Sequence, residues 1–232
     1  MTTQNKTYLP PRLRQLSHDI IGIKLEPIVD LSTSLTVGAE VLSVLTSHQQ
    51  NERFFSDQSA AQSLMLLEAQ LATLKNVHSV SNLFINLPIT VLTANELFHQ
   101  LLHVKSPPLN IELVDPASFF SLSAGLRECV TQHLQRLTMQ GHRLWLDDVD
   151  EALIRPFLSC QLPLCGIKID KDAFWRLRAT SALAALVGLC SQAAGQVLIE
   201  GIETEQDRAY ALQAGAGLGQ GYLWPSWYWP EV

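Results

Sequence analysis

Residues 143–170 read RLWLDDVDEALIRPFLSCQLPLCGIKID, and this stretch decides the fold. It contains two short apolar runs that end in charged residues, LWLDD and GIKID, with a short predicted helix between them. Runs that end in a charged or amide residue occur at residues 37–40, 83–86, 109–112, 144–147, 166–168, 197–200 and 218–220. Polar residues at the ends of successive barrel strands meet at the C-terminal face of the barrel. The sequence therefore predicts a barrel whose strand ends converge on one site.

The length and order of the predicted elements fit an α/β fold, a single TIM-like (β/α)8 barrel. Such barrels typically need about 250 residues and can form with about 200, and this chain has 232. We expect an N-terminal arm at residues 1–19 and one barrel domain at residues 20–232. The first two strands, predicted at 21–29 and 37–45, must be antiparallel, because a parallel pair needs a crossover of about a dozen residues or more. Predicted helices at 57–74, 90–104, 118–139, 151–160, 172–194 and 203–214 then alternate with strands, which indicates a parallel sheet.

Composition argues against several classes of function. The net charge is −6 and no run of Lys or Arg occurs, whereas nucleic-acid binders usually carry a basic face. The longest apolar stretch, 182–199, is interrupted by polar residues, and the N-terminus lacks a signal-peptide pattern, so we expect a cytoplasmic protein without a membrane span. The four cysteines show no CxxC spacing, which indicates packing residues in a reducing compartment. Charged residues form only 16% of the chain; a surface covered by another protein is one explanation, and buried strands alone are another.

Eight short motifs occur in an order that resembles one known family. They are EPIVD at 26–30, GAEVL at 38–42, INLP at 85–88, IELVD at 111–115, LDDVD at 146–150, IKID at 167–170, EGIE at 200–203 and QGY at 220–222. From about residue 21 to residue 230 the chain is similar to the EAL family of cyclic di-GMP phosphodiesterases, with Val41 where the family's name has alanine.

The resemblance implies a site for two-metal phosphodiester hydrolysis. Glu40, Asn86, Glu112 and Asp147 would hold one divalent cation, and Asp148 would help to hold a second, with Glu200 and Gln220 nearby. Lys168 would orient or polarise the attacking water, and Glu203 would support the site from further out. Oxygen ligands suit hard cations such as Mg²⁺ or Mn²⁺. Two such ions can clamp the attacking and leaving oxygens and lower the pKa of a bound water.

The surroundings of this site depart from the family pattern. In active members a Phe-Gly-Thr-Gly-Tyr-Ser-Ser-like loop follows the paired aspartates, but residues 149–155 read VDEALIR, without the glycines that allow positive φ or close approach to a ligand. Val44 replaces an arginine, and a charged hydrogen bond to phosphate contributes about 1.5–3 kcal/mol. Glu26 replaces a glutamine, and a carboxylate about 6 Å from a phosphate would repel it by roughly 3 kcal/mol at an effective dielectric of 20. These changes predict weak or absent binding of cyclic di-GMP.

The sequence therefore favours a degenerate, non-catalytic EAL-like protein that acts by binding another protein and requires no cofactor. The closing Leu223, Trp224 and Pro225 resemble those of enterobacterial regulators that repress motility by binding the FlhD subunit of the flagellar master transcription regulator. The alternative is an active phosphodiesterase that uses Mg²⁺ or Mn²⁺ and produces pGpG, because the metal-binding residues are retained. A receptor that binds cyclic di-GMP without cleaving it is a third possibility.

Two groups of apolar residues are candidates for contact with a protein partner. Leu153 and Ile154 lie in the altered loop, where polar groups are usual. Trp224 and Trp227 belong to an aromatic C-terminal segment, and Trp is enriched in the energetic centres of protein interfaces. For both groups the alternative is packing against the barrel.

Overall fold

The computed structural model describes residues 19–46, 51–75 and 82–229. The predicted arm at residues 1–19 therefore lies almost entirely outside the described residues. The strands are β1 (Ile20–Asp30), β2 (Thr36–Leu45), β3 (Leu83–Pro88), β4 (Asn110–Val114), β5 (Arg143–Val149), β6 (Leu164–Ile169), β7 (Gln196–Ile199), β8 (Leu218–Gly219) and β9 (Trp227–Trp229). The helices are α1 (Asn51–Ser56), α2 (Ala60–Leu74), α3 (Ile89–Thr93), α4 (Asn95–Leu102), α5 (Ser118–Ser121), α6 (Ala124–Met139), α7 (Glu151–Phe157), α8 (Lys171–Leu177), α9 (Ser181–Ala193) and α10 (Glu205–Gln213).

The sheet closes into the predicted barrel. Strands β2 to β8 are neighbours in chain order and run parallel, with helices between them. Strand β1 is antiparallel to both β2 and β8 and closes the ring between them. The prediction of a (β/α)8 barrel with an antiparallel first strand is confirmed.

Strand β9 was not predicted, and its place follows from the shortness of β8. The two residues of β8 pair with Val29 and Asp30, at the end of β1. The chain returns at β9, which pairs antiparallel with Ile23–Leu25 on the same strand. Because unpaired backbone groups at a sheet edge favour pairing with another strand, β9 covers an edge that β8 leaves open.

The barrel interior has an apolar layer beneath a polar layer. Side chains two residues apart on a strand point to the same face, and in four strands an apolar interior residue precedes a polar one by two positions: Phe84 and Asn86, Trp145 and Asp147, Leu198 and Glu200, Leu218 and Gln220. Ile28, Phe84, Trp145, Leu198 and Leu218 form a separate buried cluster inside the barrel. The polar layer therefore lies directly above a closely packed apolar layer.

The long predicted helices are interrupted where a hydroxyl side chain caps a new helix. The helix predicted at 118–139 is divided into α5 and α6, because the Ser123 side chain accepts the backbone N–H of Leu126. The helix predicted at 172–194 is divided in the same way by Thr180, which caps α9. Ser59 caps α2, which begins at Ala60, three residues later than predicted. In each case the capping hydroxyl satisfies an N–H that has no partner within the helix.

None of the helices described for this chain is both long and apolar enough to cross a membrane.

Candidate functional site

The polar layer gathers around one buried lysine, Lys168, at the end of β6. Its ammonium Nζ lies 2.7 Å from Glu200 Oε1, 2.9 Å from Asp147 Oδ1, 3.0 Å from Glu112 Oε1 and 3.4 Å from Glu40 Oε2. The side chain of Lys168 is only 1% exposed. Four carboxylates from four different strands therefore share a single cation.

Acidic groups outnumber cations in this cluster, and the pKa values reflect that imbalance. Burial raises the pKa of Glu112 well above its ordinary value, and the neighbouring charge of Glu40 raises it further. Burial, followed by the charges of Asp147 and Glu40, raises the pKa of Glu200 to about 8, although Lys168 opposes the shift. The pKa of Asp147 is raised mainly by burial. The cluster would therefore be stabilised by additional positive charge.

Glu40 and Lys168 are the exceptions, because specific partners outweigh their burial. Burial acts to raise the pKa of Glu40, but Lys168 and the amides of Gln220 and Asn86 together hold the pKa below its ordinary value. Gln220 Nε2 donates to Glu40 Oε2 at 2.6 Å, and Asn86 Nδ2 donates to Glu40 Oε1 at 3.0 Å. Burial acts to lower the pKa of Lys168, but the four surrounding carboxylates raise it well above its ordinary value.

Several buried oxygens of the cluster carry no hydrogen bond from the described residues. They are Asn86 Oδ1, Glu112 Oε2 and Gln220 Oε1. Asn86 and Gln220 direct their NH₂ groups to Glu40, so their amide oxygens are left without a partner. A buried acceptor without a partner is costly, and carboxylate and amide oxygens are the ligands that Mg²⁺ and Mn²⁺ prefer. The donor set therefore fits a divalent cation.

Asp148 adds a second group of carboxylates that shares two members with the first. Asp147, Asp148 and Glu200 each offer an oxygen, and these oxygens lie within 4.8 Å of one another. The register with β6 shifts between Leu146 and Val149, and Asp148 has a φ of 51°. Such an irregularity redirects side chains at a strand end, so two consecutive aspartates can both reach the site. Burial, followed by the charge of Asp147, raises the pKa of Asp148 to about 6.

Glu203 is the one predicted site residue that stays at the margin. Its backbone N–H donates to Asp207 Oδ2 at 3.3 Å, at the start of α10. Its side chain is exposed, and no hydrogen bond or ion pair among residues 19–46, 51–75 and 82–229 joins that side chain to the Lys168 cluster. Glu203 instead lines a cavity of about 220 Å³ beside the cluster. The lining of that cavity comprises Glu26, Glu40, Lys171, Trp175, Glu200, Gly201, Glu203, Gln220, Gly221 and Tyr222.

The structure corrects the predicted effect of Glu26. The ammonium of Lys24 forms an ion pair with Glu26 Oε1, while Gln220 Nε2 donates to Glu26 Oε2 at 2.9 Å. The negative charge of Glu26 is therefore offset rather than free to repel a phosphate. Sequence reasoning missed Lys24, although its spacing of two residues from Glu26 on a strand puts both side chains on one face.

The altered loop does not form an exposed apolar contact surface. The Asp150 carboxylate accepts the backbone N–H groups of Ala152 and Leu153, so α7 begins directly after β5. This helix buries Ile154 completely in the core, with 0% exposure, and packs Leu153 against the core. For Ile154 the structure therefore supports the alternative, packing against the barrel, rather than contact with a partner.

The aromatic C-terminal segment is divided between packing and exposure. Trp224 is half-buried and packs against the core, so it offers little free surface. Trp227 and Tyr228 of β9 are 46% and 44% exposed, and Tyr222 is 77% exposed. Of the two tryptophan candidates, Trp227 is the more accessible to a partner.

Sequence comparison relates the chain to one family. The family model described as the EAL domain matches residues 12–225. The cyclic di-GMP phosphodiesterase RocR of Pseudomonas aeruginosa is 25% identical over 96 residues. That alignment covers 40% of this chain and 24% of RocR, so the match spans about a quarter of that relative's length.

Structural comparison gives the same architecture. The FimX EAL domain from Pseudomonas aeruginosa, solved bound to c-di-GMP, superposes with a TM-score of 0.71 at 21% identity, covering 93% of this chain and 94% of that chain. An EAL domain protein from Listeria monocytogenes EGD-e gives a TM-score of 0.69 at 17% identity, covering 97% of this chain and 95% of that chain. At these identities the similarity shows the fold alone.

Proposed function

Because this chain belongs to the EAL domain family, we propose that it cleaves a phosphodiester bond of cyclic di-GMP with the aid of divalent cations and releases pGpG. The observation that carries this proposal is the set of buried, unbonded oxygens on Asn86, Glu112 and Gln220 within an acidic cluster. A protein that did not bind cations would be expected to pair these oxygens or to replace them with apolar groups.

The residues divide into two ligand sets that share Asp147. Glu40, Asn86, Glu112 and Asp147 would hold one Mg²⁺ or Mn²⁺. Asp147, Asp148 and Glu200 would help to hold a second beside it, with Gln220 nearby. When bound, the cations would offset phosphate charge and lower the pKa of a bound water.

Lys168 is the buried cationic group of the site. Its ammonium is buried beside Asp147 and Glu200, and its raised pKa keeps it protonated at neutral pH. It would orient the attacking water and restrain the carboxylates between turnovers.

A direct assay tests the proposal. Purified protein is incubated with cyclic di-GMP and either Mn²⁺ or Mg²⁺, and pGpG is quantified by chromatography. We expect turnover in the wild type and a loss of at least about a hundredfold in Glu40→Gln, in line with the loss of one electrostatic group in an active site. Glu128→Gln, which changes an exposed carboxylate on α6, is the matched control and should retain activity. The absence of pGpG with both cations would refute hydrolysis.

The second candidate is the non-catalytic regulator that the sequence favours. Two observations support it: no cationic side chain stands at Val44, and the segment after Asp148 is a capped helix with Ile154 buried rather than a glycine loop. In this case the protein would repress motility by binding the FlhD subunit of the flagellar master transcription regulator. It would need no cofactor, and its binding of cyclic di-GMP would be weak or absent. Both candidate functions require a cytoplasmic protein.

The exposed aromatic residues define where such a partner would be sought. Copurification with FlhD is measured for the wild type and for Trp227→Ala, with Met139→Ala as the control because Met139 on α6 is 79% exposed. Loss of FlhD only in Trp227→Ala, in a protein that makes no pGpG, would favour the regulator. Failure of the wild type to retain FlhD would remove this candidate.

A further inference from the structure

The first strand carries a cation beside the cavity, and we propose that this cation, Lys24, binds a phosphate group of the nucleotide that enters it. Lys24 would supply the positive charge that is missing at Val44. The inference rests on the proposed function to the extent that cyclic di-GMP, or another guanine nucleotide, must occupy this cavity.

The pairing of β1 with β2 puts Lys24 at the mouth of the barrel. Glu26 pairs with Glu40, Lys24 with Leu42, and Gly22 with Val44. Because β1 is antiparallel to β2, its earlier residues lie closer to the face at which β2 ends. Lys24 is therefore one step nearer the mouth than Glu26, on the same side of the strand, and it lies next to the pair that contains Val44.

The contacts of Lys24 connect it to the cavity wall. Its ammonium pairs with Glu26 Oε1 and lies 5.7 Å from the centroid of the Tyr222 ring. Glu26 and Tyr222 both line the 220 Å³ cavity, together with Gln220. The Lys24 side chain is 20% exposed, so its ammonium is anchored without being sealed from solvent. An ammonium has three N–H donors, so Lys24 can keep its bond to Glu26 and still donate to a phosphate oxygen.

The charge around the cavity explains why such a cation is needed. Among the described residues that line the cavity, four carry carboxylates, Glu26, Glu40, Glu200 and Glu203, and one carries a cation, Lys171. Lys24 offsets one of these charges. It lies on β1, three strands around the barrel from β6, which leads into the helix α8 that begins at Lys171. A phosphate group in the cavity would then have a cation on each of two sides, Lys24 and Lys171.

Binding of cyclic di-GMP to Lys24 variants tests the inference. Affinity is measured by isothermal titration calorimetry with Ca²⁺ as the divalent cation, and chromatography verifies that the nucleotide stays intact. We expect Lys24→Met to weaken binding by roughly ten- to hundredfold, the range for one charged hydrogen bond, and Lys24→Arg to restore most of it. Lys105→Met removes the same charge from an exposed position before β4 and should leave the affinity unchanged.

Repeating the Lys24→Met measurement in Glu26→Gln protein distinguishes two explanations. Lys24 could bind phosphate directly, or it could only neutralise Glu26. In Glu26→Gln protein there is no carboxylate for Lys24 to neutralise, yet adding Lys24→Met should still weaken binding by tenfold or more. No effect of Lys24→Met in that background would overturn the inference and leave the proposed function standing. If the wild type binds neither cyclic di-GMP nor GMP, both the inference and the proposed function fail.

Discussion

Gly166 on β6 and Trp145 on β5 are register partners, and the indole ring of Trp145 occupies the space that a side chain at position 166 would fill. Trp145 is 1% exposed and donates its Nε1–H to Asn110 Oδ1 at 3.1 Å, so the ring cannot easily move aside. The same ring packs against Phe84 in the apolar layer, with centroids 5.1 Å apart. The packing of the apolar layer beneath the polar layer therefore requires that position 166 has no side chain.

Replacing this glycine should destabilise the barrel. Gly166→Ala introduces a methyl group into a filled core, which typically costs about 1–3 kcal/mol in the free energy of unfolding. Gly188→Ala is the matched control, because nothing lies within 4 Å of a Cβ at this exposed position on α9. Alanine is about 1 kcal/mol more favourable than glycine inside a helix, so the control should gain stability. Urea denaturation of both variants checks the prediction, which fails if Gly166→Ala is as stable as the wild type.

The stability of the metal-free protein should fall as pH rises. The pKa of Glu200 is about 8 in the folded protein because of burial and the nearby charges of Asp147 and Glu40, whereas its ordinary value is 4.5. Between pH 4.5 and about pH 8 the folded state keeps the Glu200 proton, whereas the unfolded state has released it. The free energy of unfolding therefore decreases as the pH rises through this range. The slope for one proton is at most about 1.4 kcal/mol per pH unit. Above pH 8 this contribution no longer changes.

Glu200→Gln isolates that contribution. Glutamine cannot ionise, so the variant should lose less stability than the wild type between pH 5 and pH 8 in EDTA. Urea midpoints measured at each pH give the comparison. Parallel pH profiles for the two proteins would contradict the assignment of this proton to Glu200.

The convergence of the site residues could be predicted from the sequence because it depends on strand periodicity alone. Asn86, Glu112, Asp147 and Lys168 each end an apolar run, and the parallel arrangement of their strands brings those ends together. The helix boundaries were harder to predict. A helical pattern of apolar residues continues across a capping Ser123 or Thr180, so the pattern does not show where one helix stops.

Other features depend on contacts that periodicity does not encode. Ile154 is buried on a helix that begins at the carboxylate cap of Asp150. The sequence does not show whether an apolar residue near such a cap will be buried or exposed. Strand β9 has only three residues and forms because β8 leaves an edge of β1 open. Strand spacing puts Lys24 and Glu26 on one face, but it does not show whether their charged ends meet each other or turn to solvent.

Cys190 should be the slowest of the four cysteines to react with an alkylating reagent. Its side chain is 0% exposed, and burial raises the pKa of its thiol to about 12. Cys160 and Cys165 are only half-buried, although burial raises the pKa of their thiols too. Because the thiolate is the reactive form, iodoacetamide at pH 8 should label Cys190 last. Peptide mass spectrometry over time measures the order, and labelling of Cys190 as fast as Cys165 would show that α9 is less tightly packed than described.

Divalent cations should stabilise the folded protein through Glu112. Burial and the charge of Glu40 raise the pKa of Glu112 well above its ordinary value, so its carboxyl group lacks a sufficient counter-charge. At a Mn²⁺ concentration of about one hundred times the Kd, binding to the folded state alone adds about 2.7 kcal/mol to the free energy of unfolding. The increase should be largely lost in Glu112→Gln, since a neutral amide is a poorer ligand than a carboxylate, and retained in Glu128→Gln on the outside of the barrel.

The behaviour in EDTA distinguishes lost metal binding from misfolding. Glu112→Gln removes a buried acid without removing volume, and Glu40, Asp147 and Glu200 still surround Lys168, so the metal-free variant should be about as stable as the metal-free wild type. Urea denaturation with and without Mn²⁺ gives all four free energies. A wild type that gains nothing from Mn²⁺ would show that the unbonded oxygens of Asn86 and Glu112 do not bind this cation, and hydrolysis through these residues would then lose its physical basis.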